Sequence, residues 1–110
     1  MRKTNIMPKI SVITICRNAE QLIAETMKSV LNQSFDNIEY IVIDGKSTDK
    51  TLDLIHNTVK DYPTRSIKIV SEPDEGIADA MNKGVRLATG DVIAHLHAGD
   101  RYIDNNVIEE

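Results

Sequence analysis

The sequence predicts an α/β domain: a parallel sheet whose strands alternate with helices. Three observations carry this reading. Runs of β-branched residues alternate with stretches whose apolar residues recur at helical spacing. The run Glu39-Tyr40-Ile41-Val42-Ile43 is nearly all apolar, as a strand covered on both faces must be. The polar and glycine-containing loops that carry chemical side chains all follow strands, so they gather on one rim of the sheet.

Taken in order, residues 9–15 (Lys-Ile-Ser-Val-Ile-Thr-Ile) read as the first strand. Asn18 is suited to cap a helix through about Asn32, whose Leu22, Ile23, Met27, Val30 and Leu31 share one face. Ser34 to Asn37 form a turn, and residues 39–43 the second strand. Asp44 to Asp49 form a loop ending in a helix cap. The helix that follows runs to about Lys60 and buries Leu52, Ile55 and Val59. Asp61-Tyr62-Pro63 stops it, and residues 66–70 form the third strand. A third helix covers Ile77 to Ala88, with Ile77, Ala80, Met81, Gly84, Val85 and Ala88 on one stripe. Gly84 is expected to let this helix approach the sheet, and Gly90 to end it as a C′ glycine. Residues 91–96 form the fourth strand. This β-α-β-α-β-α-β order implies right-handed crossovers, with ligands beyond the carboxyl ends of the strands.

The chain has 110 residues, enough for one domain and one core. It is 41% hydrophobic and 27% charged, ordinary globular material, and Val, Ile, Leu and Met must fill a core that has no Trp. A net charge of −4 argues against nucleic acid as a partner, since that needs a basic face. An anionic ligand would need local help from a metal or from helix N-termini. The single Cys16 fits a reducing compartment, and no apolar run is long enough for a membrane span or signal peptide. The expectation is a cytoplasmic protein, with the inner face of the membrane open to it through a membrane-bound acceptor.

Gly45-Lys46-Ser47 looks like the end of a P-loop, but position 40 is Tyr where that motif needs Gly. No Gly-x-Gly-x-x-Gly follows the first strand. A phospho-acceptor receiver would want paired acids after that strand, where Cys16-Arg17-Asn18 stands. His95 and His97, with Asp100, could form a nitrogen-rich metal site, or be one packed and one rim histidine. Asp44, at a strand end, could accept hydrogen bonds from a base or sugar, or from the amides of Gly45 to Ser47. Asp100 could ligate Mg²⁺ or Mn²⁺ with phosphate oxygens and water, or simply close a turn. Glu72, Asp74, Glu75 and Asp79 could be helix N-terminal acids, and Lys83 and Arg86 solvated surface.

From about Pro8 to Tyr102 the chain resembles the nucleotide-binding part of a family 2 glycosyltransferase with the Rossmann-like GT-A fold. The resemblance rests on Ser11 to Thr14, Asn18, Gln33-Ser34-Phe35, Glu39 to Thr51, Ser71 to Ile77, Asp79 to Gly84 and Ala88 to Asp91, in that order and spacing. It is closest to bacterial transferases of exopolysaccharide, capsule or lipopolysaccharide. The resemblance implies a nucleoside-diphosphate sugar donor, a UDP-sugar favoured, and a glycan or lipid-linked acceptor. It carries Thr14, Arg17, Asn18, Asp44, Lys46, Asp74, Asp79, Asn82 and Gly99 to the donor site, with Asp44 on the base. It makes Asp100 the ligand of a Mn²⁺ or Mg²⁺ ion that bridges both phosphates. Arg17 and Ala78 stand where the family commonly has Tyr, and Gly99 where it often has Asp.

The implied reaction is inverting transfer. Cleavage of the anomeric C–O bond leaves charge on the departing diphosphate, which a divalent ion offsets. The family's catalytic base would lie after residue 110. Asp104 to Glu110 read as a cap and first helical turn, so the chain is expected to be part of a longer protein and to lack transfer activity alone. The fourth strand is expected at an open edge, where a second copy could pair. The rival reading is a non-catalytic α/β domain that binds a nucleotide or a protein.

Overall fold

A computed structural model describes residues 8–98. In it the chain forms β1 (Ile10–Cys16), α1 (Ile23–Leu31), β2 (Ile38–Asp44), α2 (Thr51–Val59), β3 (Ser66–Ser71), α3 (Ile77–Leu87) and β4 (Val92–His95). The four strands form one sheet in the order β3-β2-β1-β4, and every neighbouring pair is parallel. The alternating architecture expected from the sequence is what forms.

The order reverses once. The chain moves outward from β1 to β2 to β3, then α3 returns it to the other side of β1 as β4. Loops on either side of such a reversal diverge and leave a crevice at the strand ends. Beyond β4 the chain stays alongside β1, with the amides of Leu96 and Ala98 bonded to the carbonyls of Ile13 (2.9 Å) and Ile15 (3.4 Å).

The core has two halves because side chains alternate across the sheet. Val12, Tyr40 and Val42 pack under α1 and α2 with Ile23, Met27, Val30 and Ile55. Ile13, Ile15, Ile41 and Ile43 face α3 and meet Ala80. β2 is buried at every position, as its apolar run requires, whereas edge strand β4 leaves Val92 50% and Ile93 40% exposed. The fourth strand is thus an edge among the described residues.

Three expectations about the helices need correcting. α1 begins at Ile23, and Asn18 does not cap it; Asn18 has φ 50° and turns toward the neighbouring loop instead. Ile77 and Val85 do not lie on the buried stripe of α3; they are 62% and 43% exposed, and Ala80 and Gly84 are the buried pair. Gly90 is not a left-handed C′ residue, since the only positive-φ glycine among the described residues is Gly76. A β-carbon on Gly90 would sit 2.6 Å from Ser11 Oγ and 2.8 Å from the Lys9 carbonyl, so close approach explains it. Gly84 serves as expected: its β-carbon would stand 2.6 Å from Ile13 Cγ2.

The rim at the amino ends of the strands is closed by one carboxylate. Glu39 is 1% exposed, and its oxygens accept from Ser11 Oγ (2.6 Å), Thr89 N (2.8 Å) and Thr89 Oγ1 (3.0 Å). Lys68 Nζ lies 2.8 Å away. Burial opposes the charge, but Lys68, Ser11 and Thr89 outweigh it and hold the Glu39 carboxyl down to about 2. The expected terminal cap from Asp104 onward lies outside the described residues.

Candidate functional site

A cleft of about 440 Å³ opens at the carboxyl ends of β1 and β4, where the strand order reverses. Arg17, Asn18 and Ala19 line it from the loop after β1, and Asp74, Gly76 and Ile77 from the loop entering α3. Ile15, Cys16, Leu22 and Ala80 give it an apolar floor and wall, and His97 and Ala98 border it on the β4 side.

The loop after β1 is held by its neighbour. Asn18 Oδ1 accepts from the amides of Thr48 (2.8 Å) and Asp49 (3.3 Å), and the Asn18 amide donates to Ser47 Oγ (2.8 Å). The Ala19 amide donates to Thr51 Oγ1 (2.7 Å), and the Glu20 amide to Asp49 Oδ2 (3.3 Å). Asp49 Oδ1 also accepts from the Thr51 amide at 2.9 Å, the usual work of a carboxylate at a helix start. Asn tolerates the left-handed backbone this exchange needs, because its short polar side chain is satisfied locally.

Asp44 lies beneath this loop and is 0% exposed. Its Oδ2 accepts from Ser47 N (3.0 Å) and Ser71 Oγ (2.8 Å), and its Oδ1 from Ser47 Oγ and, at 3.7 Å, from the Cys16 thiol. Burial, then the negative charge of Asp44, pushes the Cys16 thiol up to about 12. Cys16 therefore stays a neutral wall residue rather than a nucleophile.

Asp74 reaches over the end of β2. Its Oδ1 accepts from the Gly76 amide at 3.2 Å. Its Oδ2 lies 2.6 Å from where a β-carbon on Gly45 would be, so the carboxylate occupies room that only glycine leaves. Gly76, with φ 114° and ψ −176°, makes the turn into α3 in a backbone region open essentially to glycine.

Of the residues assigned to the donor site from sequence, Arg17, Asn18 and Asp74 come together on the cleft wall. Thr14 is 0% exposed and accepts a 2.7 Å hydrogen bond from Tyr40 Oη, so it lies within the core. Lys46 is exposed at φ 60° on the loop after β2. Asp79 Oδ2 accepts from the Glu75 amide at 2.9 Å and lies 3.6 Å from Lys83, while Asn82 is exposed one turn further along α3. Gly99 and Asp100 lie outside the described residues. Among the described residues no group of three His, Cys, Asp or Glu side chains is placed to hold a metal ion, and Asp100, the third member of the set with His95 and His97, lies outside them.

Sequence reasoning missed the apolar side of the cleft. Leu22 and Ile77 sit at its mouth, 48% and 62% exposed. Each occupies a helical position that spacing alone assigns to the core. The signal that could have separated them is that both stand just at a helix start on the ligand-facing rim.

A cleft at the strand reversal, lined by Arg17 and by the start of α3, lies where open parallel α/β sheets take their ligands. The description "Glycosyl transferase family 2" matches residues 11–110, and the chain belongs to that family. An uncharacterized glycosyltransferase of Haemophilus influenzae is 41% identical over 106 residues, covering 94% of this chain and 41% of that protein. The Escherichia coli UDP-Glc:alpha-D-GlcNAc-diphosphoundecaprenol beta-1,3-glucosyltransferase WfaP is 36% identical over 101 residues, covering 92% and 39%. The mannosyltransferase PcManGT of Pyrobaculum calidifontis, solved with GDP-Man and Mn²⁺, superposes with a TM-score of 0.86 at 27% identity, covering 92% of this chain and 30% of that one. The chain thus spans about two fifths of the length of these curated relatives. No helix among the described residues is long and apolar enough to cross a membrane.

Proposed function

We propose that this chain binds the donor in a transferase that moves a sugar from a nucleoside diphosphate to a glycan or lipid-linked acceptor, with inversion. The observation that carries the reading is the cleft at the β1/β4 reversal, which brings Arg17 and Asp74 together above an apolar floor. Family membership supports it, as do relatives named for UDP-Glc and GDP-Man.

The chemistry follows from the groups present. The Arg17 guanidinium is a planar donor suited to phosphate oxygens. The first amides of α3 have no partner within the helix, and Gly76 and Ile77 at the positive end of its dipole line the same cleft. Asp74 is an acceptor suited to ribose or sugar hydroxyls. Leu22, Ile77 and Ala80 offer an apolar surface to a base or sugar ring and keep water from it. Asp44, held by Ser47 and Ser71, would meet the base only if one of those bonds exchanges for it.

A net charge of −4 and the acids around the loop into α3 would repel a bare diphosphate. A divalent ion, Mn²⁺ or Mg²⁺, held by Asp100 and the phosphates, fits that charge balance, and the Mn²⁺ in the mannosyltransferase complex supports it. When bound, such an ion supplies Lewis-acid stabilisation of the leaving diphosphate. The protein works in the cytoplasm or at the inner membrane face, and a second copy can pair along the β4 edge that the described residues leave open.

The test is calorimetric titration of UDP and of GDP into the chain, with and without Mn²⁺, and again with Asp100→Ala. Metal-dependent binding that Asp100→Ala abolishes is the expected result. Binding of neither nucleotide by a cooperatively folded chain would favour the non-catalytic rival.

A further inference from the structure

We propose that Lys83 is a positioning residue of the donor cleft, fixing the loop of residues 72–76 so that Asp74 stays over Gly45. The inference rests on the donor reading above and assigns a role to a residue that touches no part of the cleft.

Lys83 lies in the second turn of α3, yet its ammonium is spent on the loop before the helix. Nζ donates to the Pro73 carbonyl at 2.7 Å and lies 3.2 Å from Glu72 Oε1 and 3.6 Å from Asp79 Oδ2. Its side chain is 14% exposed, so this is a covered cation with three acceptors rather than a solvated surface pair. Asp79 passes the restraint on, accepting from the Glu75 amide at 2.9 Å. One helix face therefore grips the loop at residues 72, 73 and 75.

Asp74, between those points, has little other support. It accepts from the Gly76 amide at 3.2 Å and fits into the gap left by the missing side chain of Gly45. Gly76 imposes no steric limit of its own, since nothing lies within 4 Å of where its β-carbon would be. Remove the ammonium, and Glu72, Asp74 and Asp79 repel one another across a loop whose Pro73 carbonyl has lost its donor. The carboxylate then swings out of the cleft, and a ligand must restore it at its own expense.

The experiment compares the chain with Lys83→Met and Lys83→Arg by titration of UDP and of GDP in Mn²⁺, alongside ligand-free amide exchange. Lys83→Met should weaken nucleotide binding about tenfold, and Lys83→Arg should restore most of it. The amides of Glu75 and Gly76 should exchange faster in Lys83→Met while those of Val12 and Val42 do not change. Unchanged affinity in Lys83→Met overturns the proposal, and so does faster exchange spread evenly through β1 and β2, which marks general destabilisation. If the unmodified chain binds neither nucleotide, the donor reading itself fails and this role falls with it. The exchange data would then still separate that failure from the absence of a loop clamp.

Discussion

Glu39 and Thr89, fifty positions apart in sequence, are joined twice: the Thr89 amide and hydroxyl donate to the two oxygens of one carboxylate at 2.8 and 3.0 Å. Ser11 and Lys68 complete the same cluster. The turn between α3 and β4 is thereby tied to β1, β2 and β3 at the rim opposite the cleft.

This cluster predicts a pH dependence. The folded Glu39 carboxyl sits at about 2, below its ordinary 4.5, so the unfolded chain binds the extra proton in between. Its contribution, on the order of 3 kcal/mol, is full above about pH 4.5 and is lost as pH falls through about 2. Urea unfolding between pH 7 and pH 2 should show that loss, and Glu39→Gln should flatten it. A Glu39→Gln curve that keeps the full slope would assign it to other acids.

Asn18→Ala should cost about 1–2 kcal/mol, by loss of the acceptor for the Thr48 and Asp49 amides and by strain at φ 50°. Asn18→Gly removes the strain but not the loss of that acceptor, so it should lie between Ala and Asn. Thermal unfolding of the three proteins checks the order. Equal stability of Ala and Gly variants would mean that the backbone conformation is not limiting.

Two glycines should fail for different reasons. Gly76→Ala meets no neighbour, so its cost of about 1–3 kcal/mol comes from the backbone at φ 114°. Gly90→Ala drives a methyl into Ser11 and the Lys9 carbonyl, where backbone cannot yield, and should cost about as much through packing. Gly76→Ala should loosen nucleotide binding as well, while Gly90→Ala should lower stability with affinity nearly intact. Calorimetry paired with urea unfolding separates the two effects.

Cys16 should resist alkylation. With its thiol pushed up to about 12 and its side chain covered, iodoacetamide at pH 8 should label it only in urea. Rapid labelling of the folded chain would show that the cleft floor opens.

The order of elements was legible because periodicity and turn residues report directly on local structure. Ile41 and Val42 could only belong to a strand buried on both sides, and they do. Arg17 and Asp74 were legible as residues of one rim because they follow strands, and strand ends converge. What spacing does not carry is partnership across loops. Asn18 looked like the cap of its own helix, but it binds the loop before α2, whose Thr48 and Asp49 amides lie 30 and 31 residues later. Lys83 looked like a solvated cation because two of its three acceptors sit before the helix that carries it. Ile77 followed the core stripe, yet α3 begins at the cleft mouth, where the sheet beneath it ends.

The placement of β4 beside β1 has a consequence for synthesis on the ribosome. β1, β2 and β3 can pair as they emerge, since each neighbours the strand made just before it. The other edge of β1 must wait for residues 92–95, and Ala98 is the last described residue to bond there. At roughly 5–20 residues per second, that edge stays open for several seconds. Throughout that interval the nascent chain carries a bare, apolar strand able to pair with a neighbour on the same message. Codon choice around positions 72–98 should therefore govern how much protein is recovered soluble, although no side chain changes.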